Sequence, residues 1–296
     1  MNIAYLVFAY RNPKLLERLI ARLALQGSDF FIHIDKKSNI EKFRNITGDN
    51  VHFSEDRLAV YWAEFSGVRA ILLLIRAALA AEKTYDYLIL LSGSEYPLRS
   101  AHYIRAFLAR NHGREFISMV KVPNDAAGKP LSRINTLRYE STKPVRRLAS
   151  RALAKFGLGQ RDYRNYLGSL QAYSGDTWWG LTREACQYIL SFAAVNQHFE
   201  RYFCETFAPE EMFFHTILGN SVFASRVLRN FVYEDWPVKG AHPKVITAQH
   251  LLQFESAEEV WLNDVYGTAE ALFARKFNDD SLDLLQRMDD AIKNKG

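Results

Sequence analysis

The chain has 296 residues, 48% of them hydrophobic and 24% charged, an ordinary globular composition long enough for one large domain or two tightly packed lobes. No run reaches the ~20 apolar residues of a membrane-spanning helix. The two cysteines, Cys186 and Cys204, are too few for a disulfide framework and lack metal-ligand spacing. Net charge +5 and a sequence pI of about 9.1 suit an anionic ligand, an anionic membrane surface or nucleic acid, without choosing among them. The start, "MNIAYLVFAY", has no basic leader and runs straight into structure, so the expected address is cytoplasmic.

"NIAYLVFAY" reads as a buried strand. Asn12 is placed to cap the next helix and Pro13 to occupy its first position. Leu15, Leu16, Leu19, Ile20 and Leu23 recur at helical spacing. "DFFIHID" and "NVHFS" are the second and third strands, "EFSGVRAILLLIRAALAAE" an amphipathic helix, and "YDYLILLS" a fourth strand ending at the turn "GSEYP". Ser100 caps a helix over "AHYIRAFLARN", and "REFISMV" is a further strand. From about 120 to 172 the pattern weakens and becomes basic; "DTWWGLT", "REACQYILSFAA" and "APEEMFFHTILGN" then resume it. No linker separates the halves, so residues 1–296 read as a single domain, with 1–120 a nucleotide-binding half and 121–296 the acceptor and catalytic half.

Alternating strands and helices predict an α/β sandwich around a mostly parallel sheet. Ligands of such sheets sit beyond the carboxyl ends of the strands, which points to Asp35, Ser92, Glu95 and Tyr96.

Several chemical signatures are missing: there is no GxGxxG after the first strand, no phosphate-binding P-loop, no HExxH and no clear Asp-x-Asp. The adjacent acids of "NDD" near 280 do not converge as alternate ones on a strand would. A diphosphate would then need cations in place of a metal, and Arg275 with Lys276, between Phe273 and Phe277, offers them. A solvated surface pair is the plain alternative. Glu210 and Glu211 follow Pro209 at a helix start, where the macrodipole alone accounts for acids; the chemical alternative is a general base. His215, one turn on, reads as a satisfied, half-buried histidine. The side chains of Trp178 and Trp179 face opposite ways on a strand, leaving one free to stack on a sugar, although a core role accounts for both.

Taken in order, "IAYLVFAYRNP", "FFIHIDKKS", "VYWAEFSGVRA", "YDYLILLSGSEYPLRS", "TWWGLTREA", "APEEMFFHTIL", "HPKVIT" and "LFARKF" resemble the core-2/I-branching glycosyltransferases over residues 2 to 280. That family includes β-1,6-N-acetylglucosaminyltransferases, peptide O-xylosyltransferases and many bacterial members. The resemblance implies a GT-A-like fold and an inverting, metal-independent transfer from a UDP-sugar, most simply UDP-N-acetylglucosamine, to a glycan or lipid-linked acceptor, with UDP-xylose the alternative donor. It implies Glu211 as the catalytic base, although Ala208 and Glu210 replace the family's usual Ser and Asp. It implies a donor site from Val7, Asp35, Val60, Tyr61, Trp62, Thr177, Trp178, Arg275 and Lys276, with Glu95, Tyr96 and Trp179 near the sugar or acceptor. The implied setting is bacterial surface polysaccharide or glycoconjugate assembly.

Between Lys143 and Arg164 lie seven cations and one acid, Asp162. A helix there would carry Val145, Leu148, Ala152 and Phe156 on one side and Arg147, Arg151 and Lys155 on another. It could rest on an anionic membrane or pack with its basic face in water. A nucleic-acid-binding module or a non-catalytic carbohydrate-binding relative is the rival class. The charge falls in no nucleic-acid motif and the aromatics follow core periodicities, so no nucleic-acid partner is expected.

Overall fold

Seven consecutive apolar or aromatic residues make β1 (Ile3–Ala9), a strand covered on both faces. The computed structural model describes every residue except 140, 141, 143, 157, 238, 239, 241 and 296. After β1 come α1 (Pro13–Leu23), β2 (Ser28–Ile34), β3 (Val51–Phe53), α2 (Ser66–Ala80), β4 (Tyr87–Ser92), β5 (Glu95–Pro97), α3 (Ala101–Arg110) and β6 (Glu115–Lys121). The second half adds α4 (Ser132–Asn135), α5 (Pro144–Lys155), α6 (Arg164–Leu167), β7 (Tyr173–Thr182), α7 (Arg183–Val195), α8 (Gln197–Phe203), α9 (Phe213–Gly219), β8 (Val227–Leu228) and β9 (Val232–Glu234). The chain ends with α10 (Ala248–Ser256), β10 (Trp261–Asp264), β11 (Gly267–Glu270), β12 (Phe273–Arg275) and α11 (Leu282–Lys295).

The main sheet has seven strands in the order β3-β2-β1-β4-β7-β6-β8. β3, β2, β1 and β4 are mutually parallel, β7 runs antiparallel to both β4 and β6, and β8 is parallel to β6. The fold is thus α/β with a mostly parallel central sheet, and its 3-2-1-4 half has the strand order of a Rossmann-like sheet. The apolar stripes of α1 and α2 pack onto it, with Leu16, Leu19, Val68, Ile71 and Ile75 in the same core as Tyr5, Phe30 and Leu90.

A second, three-stranded sheet, β5-β12-β9, sits beside the main one. It is backed by a separate cluster in which Tyr96, Ala274 and Phe277 meet Leu251 of α10 and Leu285 and Met288 of α11. This cluster corrects the reading of "GSEYP" as a turn: Glu95–Pro97 is an edge strand, and Tyr96 is turned into the cluster. Tyr96 has no exposed surface, and its hydroxyl donates to Asp289.

The start of α1 differs from expectation. Asn12 has φ 60° and ψ 56° and its side chain caps nothing. Asp279, from the segment "NDD", instead accepts the Leu15 backbone N–H at 3.0 Å. The acid expected to be a poor metal ligand thus satisfies a free donor at a helix start. Among the described residues, no helix is long and apolar enough to cross a membrane.

Candidate active site

The segment "LFARKF" becomes the middle strand of the small sheet. Its register sets Arg275 opposite Glu95 on β5 and opposite Glu234 on β9. Both neighbours become ion-pair partners, with Arg275 Nε 2.7 Å from Glu95 Oε1 and Nη1 2.8 Å from Glu234 Oε1. The guanidinium also lies over the Trp178 ring, 4.5 Å from its centroid. Glu95 is fully buried, and its other oxygen accepts from the Ser92 backbone N–H and hydroxyl. Arg275 is therefore a cation whose charge is already met by two carboxylates.

Lys276 is different. No carboxylate among the described residues forms an ion pair with it. Burial, then the Arg275 and Arg11 charges, push its pKa down. An arriving anion would relieve both repulsions, so Lys276 is the cation with capacity left for a ligand. His242 stands nearby, its own pKa lowered by burial and then by Lys276.

β7 supplies the opposite wall through a bulge. Ile117 pairs with Trp179 and Met119 with Gly175, so Asp176, Thr177 and Trp178 face only Ser118 across the ladder. Gly175 makes this possible: a Cβ there would lie 1.6 Å from the Ser118 carbonyl oxygen. The extra residues turn Asp176, Thr177 and Trp178 into a cavity of about 220 Å³ at the carboxyl ends of β1 and β4. Phe8 of β1 stacks on Trp178 with ring centroids 5.7 Å apart, forming the floor. Trp179 points the other way, fully buried against Phe214. The two tryptophans divide as strand alternation requires, and Trp179 belongs to the core, not to the cavity.

Glu210 and Glu211 sit in a single 3-10 turn, Pro209–Glu211, entered through Ala208 at φ 47° and ψ 58°. They do not open α9, so capping does not explain them. Glu211 Oε2 lies 2.7 Å from Lys129 Nζ and also accepts from Arg133. Burial works to raise the Glu211 pKa, but these two cations outweigh it and hold the carboxyl below its usual range. Glu210 goes the opposite way: burial, then the Glu211 charge, push it up to about 8. One of its oxygens is buried with no hydrogen-bond partner. The two shifts oppose each other, so the ionised form is favoured on Glu211 and the protonated form on Glu210. Asp176 is also raised, by burial and then by Glu234. His215, fully buried with its pKa pushed down to about 3, contacts the Asp176 carbonyl through Nε2 at 2.9 Å, while its Nδ1 is buried with no hydrogen-bond partner among the described residues, so it is more deeply buried and less satisfied than the sequence suggests.

The cavity thus gathers Val60, Tyr61, Trp62, Ser92, Thr177, Trp178, Glu210, Glu211, Arg275 and Lys276 of the residues singled out from sequence. Glu95 stands behind it, gripping Arg275. Val7 does not reach it: fully buried on β1, it hands the position to its neighbour Phe8. Asp35 also stays off the cavity wall. It takes the Lys37 ammonium at 2.6 Å, and that ammonium bonds the Val60 carbonyl and lies over the Tyr61 ring. Asp35 therefore holds the 60–61 loop in place. Sequence reasoning missed Lys129, Arg133, Asp176, Glu234, Trp236 and His242. Lys129 and Arg133 lie in the stretch where periodicity fails, while Asp176 and His242 sit beside "TWW" and in "HPKVIT" with no spacing that marks them as site residues.

A family model for the Core-2/I-Branching enzyme matches residues 3–258. Xylosyltransferase 2 of Rattus norvegicus is 26% identical over 238 residues, which cover 78% of this chain and 26% of that protein. Xylosyltransferase sqv-6 of Caenorhabditis elegans is 23% identical over 291 residues, covering 90% of this chain and 33% of the relative. The chain spans about a quarter to a third of the length of these relatives. Among solved structures, a 4-diphosphocytidyl-2C-methyl-D-erythritol synthase from Anaerococcus prevotii is similar with a TM-score of 0.36 at 11% identity, over 86% of this chain and 95% of that one. The family match runs through the parallel strand ends, the β7 bulge and the Glu210–Glu211 turn, and the chain belongs to the Core-2/I-Branching enzyme family of glycosyltransferases.

Proposed function

We propose that this chain transfers a sugar from a UDP-sugar to a hydroxyl of a glycan or lipid-linked acceptor, inverting the anomeric centre to a β-linkage. The observation that carries this reading is one cavity with a carboxylate, Glu211, paired with Lys129 and Arg133 on one wall and an ammonium, Lys276, with no carboxylate partner among the described residues on another. In this account Lys276, backed by Arg275, meets the charge that develops on the β-phosphate as the glycosidic bond breaks. Trp178 and Phe8 present an apolar floor to the sugar. Glu211 takes the proton of the attacking hydroxyl on the face opposite the leaving UDP, and a single displacement inverts the centre.

Lys129 and Arg133 keep Glu211 ionised, and in doing so weaken it as a base. Proton transfer then comes late, after formation of the new C–O bond has acidified the hydroxyl. No step in this scheme uses a divalent metal, and no nucleic acid takes part. UDP-N-acetylglucosamine is the first donor to test. A second reading, UDP-xylose, is favoured by relatives named xylosyltransferases.

The test is UDP release and thermal stabilisation across both UDP-sugars, with and without excess EDTA. Saturating donor at a hundredfold its Kd should add about 2.7 kcal/mol of stability. Lys276→Met should abolish that gain and leave the unliganded melting temperature within a degree or two. If neither UDP-sugar stabilises or is consumed, the reading fails; activity lost in EDTA and restored by manganese would refute its metal-free form.

A further inference from the structure

Among the described residues, the helix α5 packs against the rest of the chain on one side only. Ser150 is buried and Arg147 half-buried, whereas the other side points outward. Val145 is 81% exposed, Leu148 73% and Phe156, just past the helix end, 77%. These three, with exposed Ala152, fall on one face at helical spacing. Sequence alone allowed this apolar face to be the packed one; among the described residues nothing covers it. Exposed Arg146, Arg151 and Lys155 flank it, and α5 holds no acid. Lys143 and Gly157, at the ends of the same segment, lie outside the described residues.

The element is nonetheless anchored. A bridge between Thr136 and Gln160 closes the excursion at its base. Arg161 donates its backbone N–H to Asn135 and stacks over the Tyr202 ring at 4.0 Å. That base follows directly on α4, whose Arg133 holds Glu211.

We propose that α5 docks this protein on an anionic lipid surface. Val145, Leu148 and Phe156 enter the headgroup–acyl boundary, while Arg146 and Lys155 meet the lipid phosphates. An apolar face with cations along its borders and no acid is complementary to an anionic bilayer, and both terms of interfacial binding are present. The surface stands apart from the reading of the cavity, because lipid binding needs neither Glu211 nor Lys276.

Flotation of the full chain with phosphatidylcholine vesicles, with and without phosphatidylglycerol and at low and high salt, tests the idea. The protein should float with the anionic vesicles, weakly or not at all with neutral ones, and less at high salt. Each of Arg146→Gln and Lys155→Gln should cost about fivefold in vesicle affinity. Leu148→Ser with Phe156→Ser should cost about tenfold or more. All four positions are exposed, and the one ring contact among them is Arg146 over Tyr139 at 5.6 Å, so melting temperature should move by no more than about a degree or two and UDP binding should not change. No flotation with anionic vesicles, equal flotation with neutral ones, or variants that float like the parent would overturn the proposal. So would a dimer in sedimentation that Leu148→Ser with Phe156→Ser converts to monomer, since the face would then join two copies.

Discussion

Replacing Glu210 by glutamine should stabilise the unliganded protein, by an amount that depends on pH in a set direction. The Glu210 carboxyl has an ordinary value of 4.5 and is pushed up to about 8 by burial and then by Glu211. Between those two values the folded chain keeps a proton that the unfolded chain has released, so stability falls as pH rises through this window. Full linkage over the span would be about 4–5 kcal/mol. Part of the side chain reaches the cavity, and solvent screening reduces the figure to about 1–3 kcal/mol. For a chain of this length that is about 2–5 °C in melting temperature. Glutamine keeps the shape and cannot ionise. Calorimetric scans from pH 5 to pH 8 should show the variant and parent melting together near pH 5, with the variant ahead by that margin at pH 8. A gap that does not change with pH, or a variant less stable at pH 8, would refute the reasoning. It would also remove the grounds for favouring the ionised form on Glu211.

Other consequences follow from the same geometry. Lys129→Met removes a cation that holds Glu211 low, so burial should lift the carboxyl and move the acid limb of the pH–rate profile to higher pH; an unmoved limb would contradict the pairing. Arg275→Leu leaves Glu95 and Glu234 as uncompensated carboxylates, one of them fully buried, and should cost about 3–5 kcal/mol in denaturant unfolding, where Lys276→Met costs little. Gly175→Ala forces β7 off β6 at the Ser118 carbonyl and should destabilise by more than about 3 kcal/mol, with Trp178 fluorescence reporting the displaced cavity wall.

Much of the scaffold is legible in the sequence because it follows from local rules. β1, β2 and β4 are apolar runs of strand length, α2 repeats at helical spacing, and alternation along β7 separates Trp178 from Trp179. What stays hidden is non-local. The Glu95–Arg275–Glu234 ladder joins three strands far apart in the chain, and no spacing reveals their register. The bulge that aims Asp176, Thr177 and Trp178 depends on the approach of Ser118 to Gly175, a contact between two strands. Lys129 and Arg133 come from irregular backbone, where periodicity carries no signal. Val7 and Tyr96 turn inward, because on β1 it is Phe8 that faces the cavity and on β5 it is Glu95, also named from sequence, that faces Arg275.

The most direct test of the account is Glu211→Gln. Donor turnover can be followed as UDP release from UDP-N-acetylglucosamine and UDP-xylose, alongside UDP binding by thermal shift. The account predicts that release falls by at least about a hundredfold, the lower range for loss of a general base, while UDP binds within a few-fold of the parent. Release at near-parental rates with binding intact would contradict the assignment of Glu211 as the base.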